Sequence, residues 1–199
     1  MQTQTMDACK SYLHIHVDKE AYGHALFIMR GMARIAPLYG LDPYAAQLAG
    51  LIHDIAKDIP LDHVFRVAKK RAPYILDGLD KEFHIPTYLH GPFGAYMARS
   101  MFGIKDADIL GAIRDHVGHA ERMSLLARCL HTMNAASPTA PFPGSEAISA
   151  HLHTEDLDRA ELLAYACKIA YFEENDIPVH PGMRANAMAI ERRTRLIHL

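Results

Sequence analysis

Leu51 to Asp58 read LIHDIAKD, an apolar helical run that sets a histidine directly beside an aspartate. A neutral imidazole offers a lone pair to a cation, and a carboxylate offers oxygens with negative charge, so His53 and Asp54 are a candidate pair of metal ligands. Three more histidines fall in comparable settings: His24 in HALFIMRGMARIAPLYG, His90 in YLHGPFGAYMA and His116 in GAIRDHVGH. Four imidazoles and one carboxylate, carried by four helices, could converge on one cation site. Each histidine taken singly also reads as a hydrogen-bonded group at a partly buried helix edge, and separations this long do not decide between the two readings.

The elements that must position these residues are helices. Period-3.6 patterning dominates the chain, and alternating segments bounded by turn signals are nearly absent, so the class is all-α. A first amphipathic helix is expected from about Glu20 to Tyr39, stopped at Gly40 by a left-handed cap. Its core stripe is Ala25, Ile28, Met29, Met32, Ala33 and Ala36, with His24 at the edge. Asp42 caps a second helix with Pro43 in its first turn, running to about Lys57 before Ile59-Pro60. At about 100° per residue its apolar arc leaves His53 at the margin and Asp54 outside. Further helices fit 61–71, 88–101, 106–117, 124–136 and 157–174, with a last one from about Met183 to the end. SPTAPFPGS, residues 137–145, holds three prolines and a glycine and must be a loop.

Composition bounds the rest. With 199 residues, 50% of them hydrophobic, the chain is long enough for one core, and a single domain over residues 20–199 is expected behind an N-terminal extension, 1–19. A formal net charge of -2 gives no positive field, so no nucleic acid is expected as partner, and no run of roughly 18 apolar residues suggests a membrane span. Three widely spaced cysteines without a CxxC, and a first segment unlike a secretory signal, point to a cytoplasmic protein with reduced thiols. A homodimer is compatible with the size. The surplus is histidine, 14 in all.

The order of HALFIMRGMARIAPLYG, LAGLIHDIAKDIP, LHGPFGAYMARSMFGI, AIRDHVGH and MSLLARCL resembles the HD-domain metal-dependent phosphohydrolases. Within them it is most similar to the YqeK family of symmetrical diadenosine tetraphosphate hydrolases. The likeness runs from about Ala21 to Ser137 and resumes at LLAYACKIAYFEENDIPVHPGMRANA. It implies a single-domain HD-domain helical bundle binding a pair of divalent metal ions, iron first, with manganese, cobalt, zinc and nickel also suited to the donor set. Carried over, His24, His53, Asp54, His90 and His116 occupy five of six ligand positions, with Asp54 bridging both ions.

The resemblance further implies a nucleotide substrate: metal-activated water attacks a β-phosphorus of a dinucleoside tetraphosphate and releases two nucleoside diphosphates. Asp54 and His116 then belong to the catalytic centre, and Lys57 is expected to contact the polyphosphate, an intrahelical pair with Asp54 or Asp58 being its other reading. Arg114 and His119 are expected near the substrate, as phosphate contact and proton carrier, with Asp115 orienting its neighbours; surface and capping roles compete for all three. The sixth position departs from the family pattern. Asn134 stands where family members carry Asp, so one ion would be held more weakly or not at all, and His131, one turn earlier, is the alternative ligand. The family's charged turn is replaced by ASPTAPFPG. A different nucleotide substrate and a degenerate, non-catalytic nucleotide-binding module are the competing outcomes.

Overall fold

The computed structural model describes residues 2–197, with side chains to 194. Ten α-helices follow one another, and no strand occurs among the described residues: α1 (Gln2–His16), α2 (Lys19–Ile35), α3 (Pro43–Ile52), α4 (Leu61–Lys70), α5 (Pro86–Phe102), α6 (Ala107–Asp115), α7 (Leu125–Ala135), α8 (Ser145–Leu152), α9 (Leu157–Glu174) and α10 (Pro181–Ile197). Two short 3₁₀ turns, Pro73–Leu76 and Lys81–Phe83, connect α4 to α5. One buried core, built largely of Ile, Leu, Ala and Met, runs through the bundle. The end of the last expected helix, at residues 198–199, lies outside the described residues.

The helix starts follow from capping chemistry. Asp18, Asp42, Asp106 and Ser124 each accept a hydrogen bond from a first-turn amide, at 2.7 Å for Asp18 and Asp42. Two ends differ from expectation. The first helix stops at Ile35 rather than Tyr39, because Pro37 lacks an amide hydrogen and its ring meets the preceding turn; Gly40 still takes the left-handed conformation, φ 61°. The second stops at Ile52 rather than Lys57. Residues 53–58 form tight turns instead, with i→i−3 bonds from Ile55 to Ile52, Lys57 to Asp54 and Ile59 to Ala56. His53 and Asp54 thus leave a turn, not a regular helix face.

Two helices were not anticipated. α1 occupies most of the expected N-terminal extension and buries Cys9 and Leu13 fully. α8 begins at the end of the Pro-rich loop and buries Ile148 and Leu152.

Close approach of α5 to α6 depends on Gly91. A Cβ at that position would stand 2.5 Å from the Arg114 carbonyl oxygen. That backbone cannot retreat without moving the end of α6. Gly91→Ala is therefore expected to destabilise the protein despite alanine's better helix propensity. Overpacking of about 1–3 kcal/mol exceeds a gain of about 1 kcal/mol. A melting temperature lower by a few degrees is the expected reading, and an unchanged or higher one would show that α5 and α6 do not pack this closely at Gly91.

Candidate metal centre

His24 projects from α2, His53 caps the end of α3, Asp54 follows it, His90 lies on α5 and His116 caps α6. The fold brings all five together. Ligand atoms of His24, His53 and Asp54 lie within 4.8 Å of one another, and so do those of Asp54, His90 and His116. The carboxylate is shared. Its Oδ2 stands 3.9 and 3.5 Å from the Nε2 atoms of His24 and His53, and its Oδ1 stands 3.3 and 3.4 Å from those of His90 and His116.

The protonation of the rings is dictated by their backs. Nδ1 of His53 meets the Gly50 carbonyl at 2.9 Å, Nδ1 of His90 meets Pro86 at 2.9 Å, and Nδ1 of His116 meets Ile113 at 2.7 Å. A carbonyl only accepts, so each Nδ1 carries the hydrogen and each Nε2 presents a bare lone pair. Gly50 and Ile113 lie in the last turns of their helices, where carbonyls lack a helical donor, so the capping imidazoles fill that need as well. Nε2 of His90 and His116 are 2.9 Å apart and both face Asp54 Oδ1. Three acceptors thus converge with no donor among them. A cation is what satisfies such a set, and the donor types suit a divalent metal.

Protonation does not offer an easy alternative. Burial pushes the pKa of His24 down to about 4, reinforced by the neighbouring His53, and burial likewise holds His53 and His116 near 4. His53 and His116 are almost wholly inaccessible to solvent.

The Oδ2 half differs. Lys57 Nζ donates to Oδ2 at 2.8 Å, so this side already contains one cationic donor. Asn134 reaches the His24 ring and lines the cavity. The Pro-rich loop supplies the back of His24: the Thr139 and Ser137 hydroxyls stand 3.0 and 3.3 Å from Nδ1 and 2.8 Å from each other. These two hydroxyls were not singled out in the sequence, although an S-P-T following Asn134 was the available signal. His131 is turned away; its Nδ1 donates to the His116 carbonyl at 3.0 Å and its ring lies 4.6 Å from that of Tyr165. Asn134 lines the cavity over the cluster and His131 does not.

A cavity of about 540 Å³ opens over the cluster. Lys57 and Asp58 line its rim, while Leu13, Val17, Phe142, Tyr171 and Phe172 give it apolar walls. Arg114 and His119 do not line it. Arg114 forms a two-pronged pair with Asp115 at 2.7 and 2.6 Å, and the His119 ring packs between Tyr88 and His180. One further cavity residue went unremarked in the sequence: Lys168 of α9, buried at 9% exposure.

The HD domain family model matches residues 21–171. The chain belongs to the HD domain family. Among its relatives, the symmetrical bis(5'-nucleosyl)-tetraphosphatase of Halalkalibacterium halodurans is 31% identical, over 89% of this chain and 94% of the relative. The Bacillus subtilis protein of the same description is 29% identical, over 80% and 83%. A solved structure from Clostridium acetobutylicum, described as a predicted HD superfamily hydrolase involved in NAD metabolism, superposes with a TM-score of 0.84 at 26% identity, covering 94% of this chain and 97% of that one. The expected all-α HD fold and family resemblance are thereby established, as is a His/Asp cluster of the kind that holds divalent metal in HD domains.

The neutral imidazoles set a pH dependence for the metal-free protein. Folded His24, His53 and His116 sit near 4 against an ordinary 6.5, so the unfolded chain takes up protons first as pH falls. Their contribution to stability is complete above about pH 6.5 and is lost on the way down to about 4. The melting temperature of chelator-treated protein should fall across that window. A flat profile would contradict the burial of neutral rings.

Proposed function

We propose that this chain is a metal-dependent phosphohydrolase that cleaves diadenosine tetraphosphate into two ADP, using two divalent ions, iron foremost, held on either side of Asp54. The observation that carries this reading is the single carboxylate whose two oxygens each face a separate pair of imidazoles beneath a cavity of ligand size. His90 and His116 would hold one ion with Oδ1, and His24, His53 and Asn134 the other with Oδ2. Bound there, divalent ions acidify a water and draw charge from phosphoryl oxygens. The naming of two relatives as symmetrical tetraphosphatases supports the substrate.

The protein's own groups do the rest. Carbonyl-anchored rings keep their Nε2 lone pairs aimed inward without reorganisation. Lys57, fixed on Oδ2, places an ammonium at the rim where a polyphosphate would enter. Phe142 and Tyr171, ring centroids 6.0 Å apart, present aromatic surface for a nucleobase. Hydrolysis adds the water oxygen to one inner phosphorus while the central anhydride bond breaks and the other half leaves as ADP; no covalent enzyme intermediate is needed. Reduced thiols fit a cytoplasmic setting: burial pushes Cys9 and Cys129 up to about 12, leaving them protonated and unreactive. Within the described residues no helix is long and apolar enough to cross a membrane.

A second reading, an HD phosphohydrolase acting on another nucleotide, is favoured by the Pro-rich loop, whose Thr139, Ala140, Pro141 and Phe142 build part of the cavity wall. Both are tested by loading the protein with Fe²⁺, Mn²⁺ or Co²⁺ and following products by chromatography. ADP as sole product from diadenosine tetraphosphate is expected, with loss on chelation. Turnover of other nucleotides but not this one would select the second reading, and no turnover with any metal would sink both.

Asn134 supplies no negative charge, so the two ions should bind unequally, tightly on the Oδ1 side and weakly on the Oδ2 side. Calorimetric titration with Mn²⁺ should resolve two steps. Asn134→Asp should tighten the weak step by on the order of tenfold or more, and His90→Ala should abolish the tight one. Two equal steps in the natural protein would remove the basis for this asymmetry.

A further inference from the structure

We propose that Lys168 is a substrate-binding residue, its ammonium holding a phosphoryl oxygen of the ligand in the metal-site cavity. For the parent molecule, though not for the anion, this rests on the phosphohydrolase reading. Lys168 is 9% exposed and lines the same cavity as Asp54, His90 and His116. Lysine is almost never this buried unless a partner offsets the lost hydration. Yet its recorded contact is one hydrogen bond, Nζ to the Val117 carbonyl at 3.1 Å. An ammonium has three hydrogens to donate, and a neutral carbonyl satisfies one.

The contrast with other cations sharpens the point. Lys57, also at the cavity, is paired with Asp54; Arg114 is paired with Asp115; Arg128 is paired with Asp158 and with Glu161, the buried acid of α9 itself. No ion pair within 4.0 Å includes Lys168 among the described residues. Asp158 and Glu161 of α9 are thus paired, whereas this ammonium faces a cavity. Burial draws the Lys168 ammonium down to about 8, with Asp54 acting in the opposite sense, so it remains charged at neutral pH. Tyr171 and Phe172 follow one turn later and line the cavity too. α9 thus presents one cation and two rings in the order that a phosphate joined to a nucleoside would meet.

The bond to Val117, next to His116, gives the competing role: a prop for a metal-binding residue. Lys168→Met and Lys168→Gln separate them in the Mn²⁺-loaded full chain. Loss of a desolvated charge should leave the melting temperature unchanged or raise it in the Met variant; the Gln variant keeps a polar donor should Met pack badly. Calorimetry with inorganic phosphate should show both variants binding about tenfold more weakly or worse, at unchanged metal content and Mn²⁺ affinity, with KM raised more than kcat is lowered. Weakened Mn²⁺ binding with unchanged phosphate affinity at full metal loading would overturn the proposal in favour of the prop. Absence of phosphate binding by the natural protein would also overturn it. Diadenosine tetraphosphate turnover, followed in parallel, keeps the two readings apart: an inert natural protein whose phosphate binding still depends on Lys168 loses the substrate assignment and keeps this residue's role.

Discussion

Everything at the centre of this protein depends on lone pairs forced to face one another. Asp54 Oδ1 and the Nε2 atoms of His90 and His116 form a cluster of acceptors, brought together by helix packing and stripped of alternatives by carbonyls bonded behind the rings. In water such atoms would turn away and hydrate. Here packing prevents the rings from turning and burial resists protonation of His116, so the arrangement is unfavourable by itself and becomes favourable around a cation. The bundle supplies the opposing force: apolar faces of α2, α3, α5 and α6 bury Ile28, Met32, Leu48, Ile52, Leu89 and Ile113, all essentially inaccessible.

The helix packing and the ring orientations have different ranges. Each carbonyl that sets a tautomer lies three or four residues before its histidine, so that part of the site is locally encoded. Bringing His90 to His116 is not local. It requires α5 to cross α6 over Gly91, a contact between residues far apart in the chain.

That difference explains how much could be read from the sequence. Cap residues are local signals, and they placed the helix starts; the edge positions of His24 and His53 are local signals too, and the fold brings both rings to Asp54. The run through His53 and Asp54 was misread as continuous helix because its apolar arc persists to Ile55 and Ala56, while the tightening into i→i−3 turns comes from tertiary packing. α1 was missed because its buried contacts are few, Cys9 and Leu13, too sparse to form a stripe. Arg114 looked available for a ligand because nothing in a string shows its side chain folding onto the adjacent Asp115. Lys168 was invisible for the opposite reason: a lysine on a helix reads as solvated, and only the fold puts it inside.

The helix α1 carries a wider consequence. Leu13 and Val17 reach the cavity wall, yet both precede the region matched by the HD domain model, which begins at residue 21. Leu13 and Val17 thus shape the cavity from a part of the chain that holds neither Asp54 nor any of the clustered histidines. Mutation can reshape what fits above the His/Asp cluster through this leading segment while every clustered histidine stays in place, a division of labour by which one scaffold could acquire new molecular appetites without relearning its chemistry.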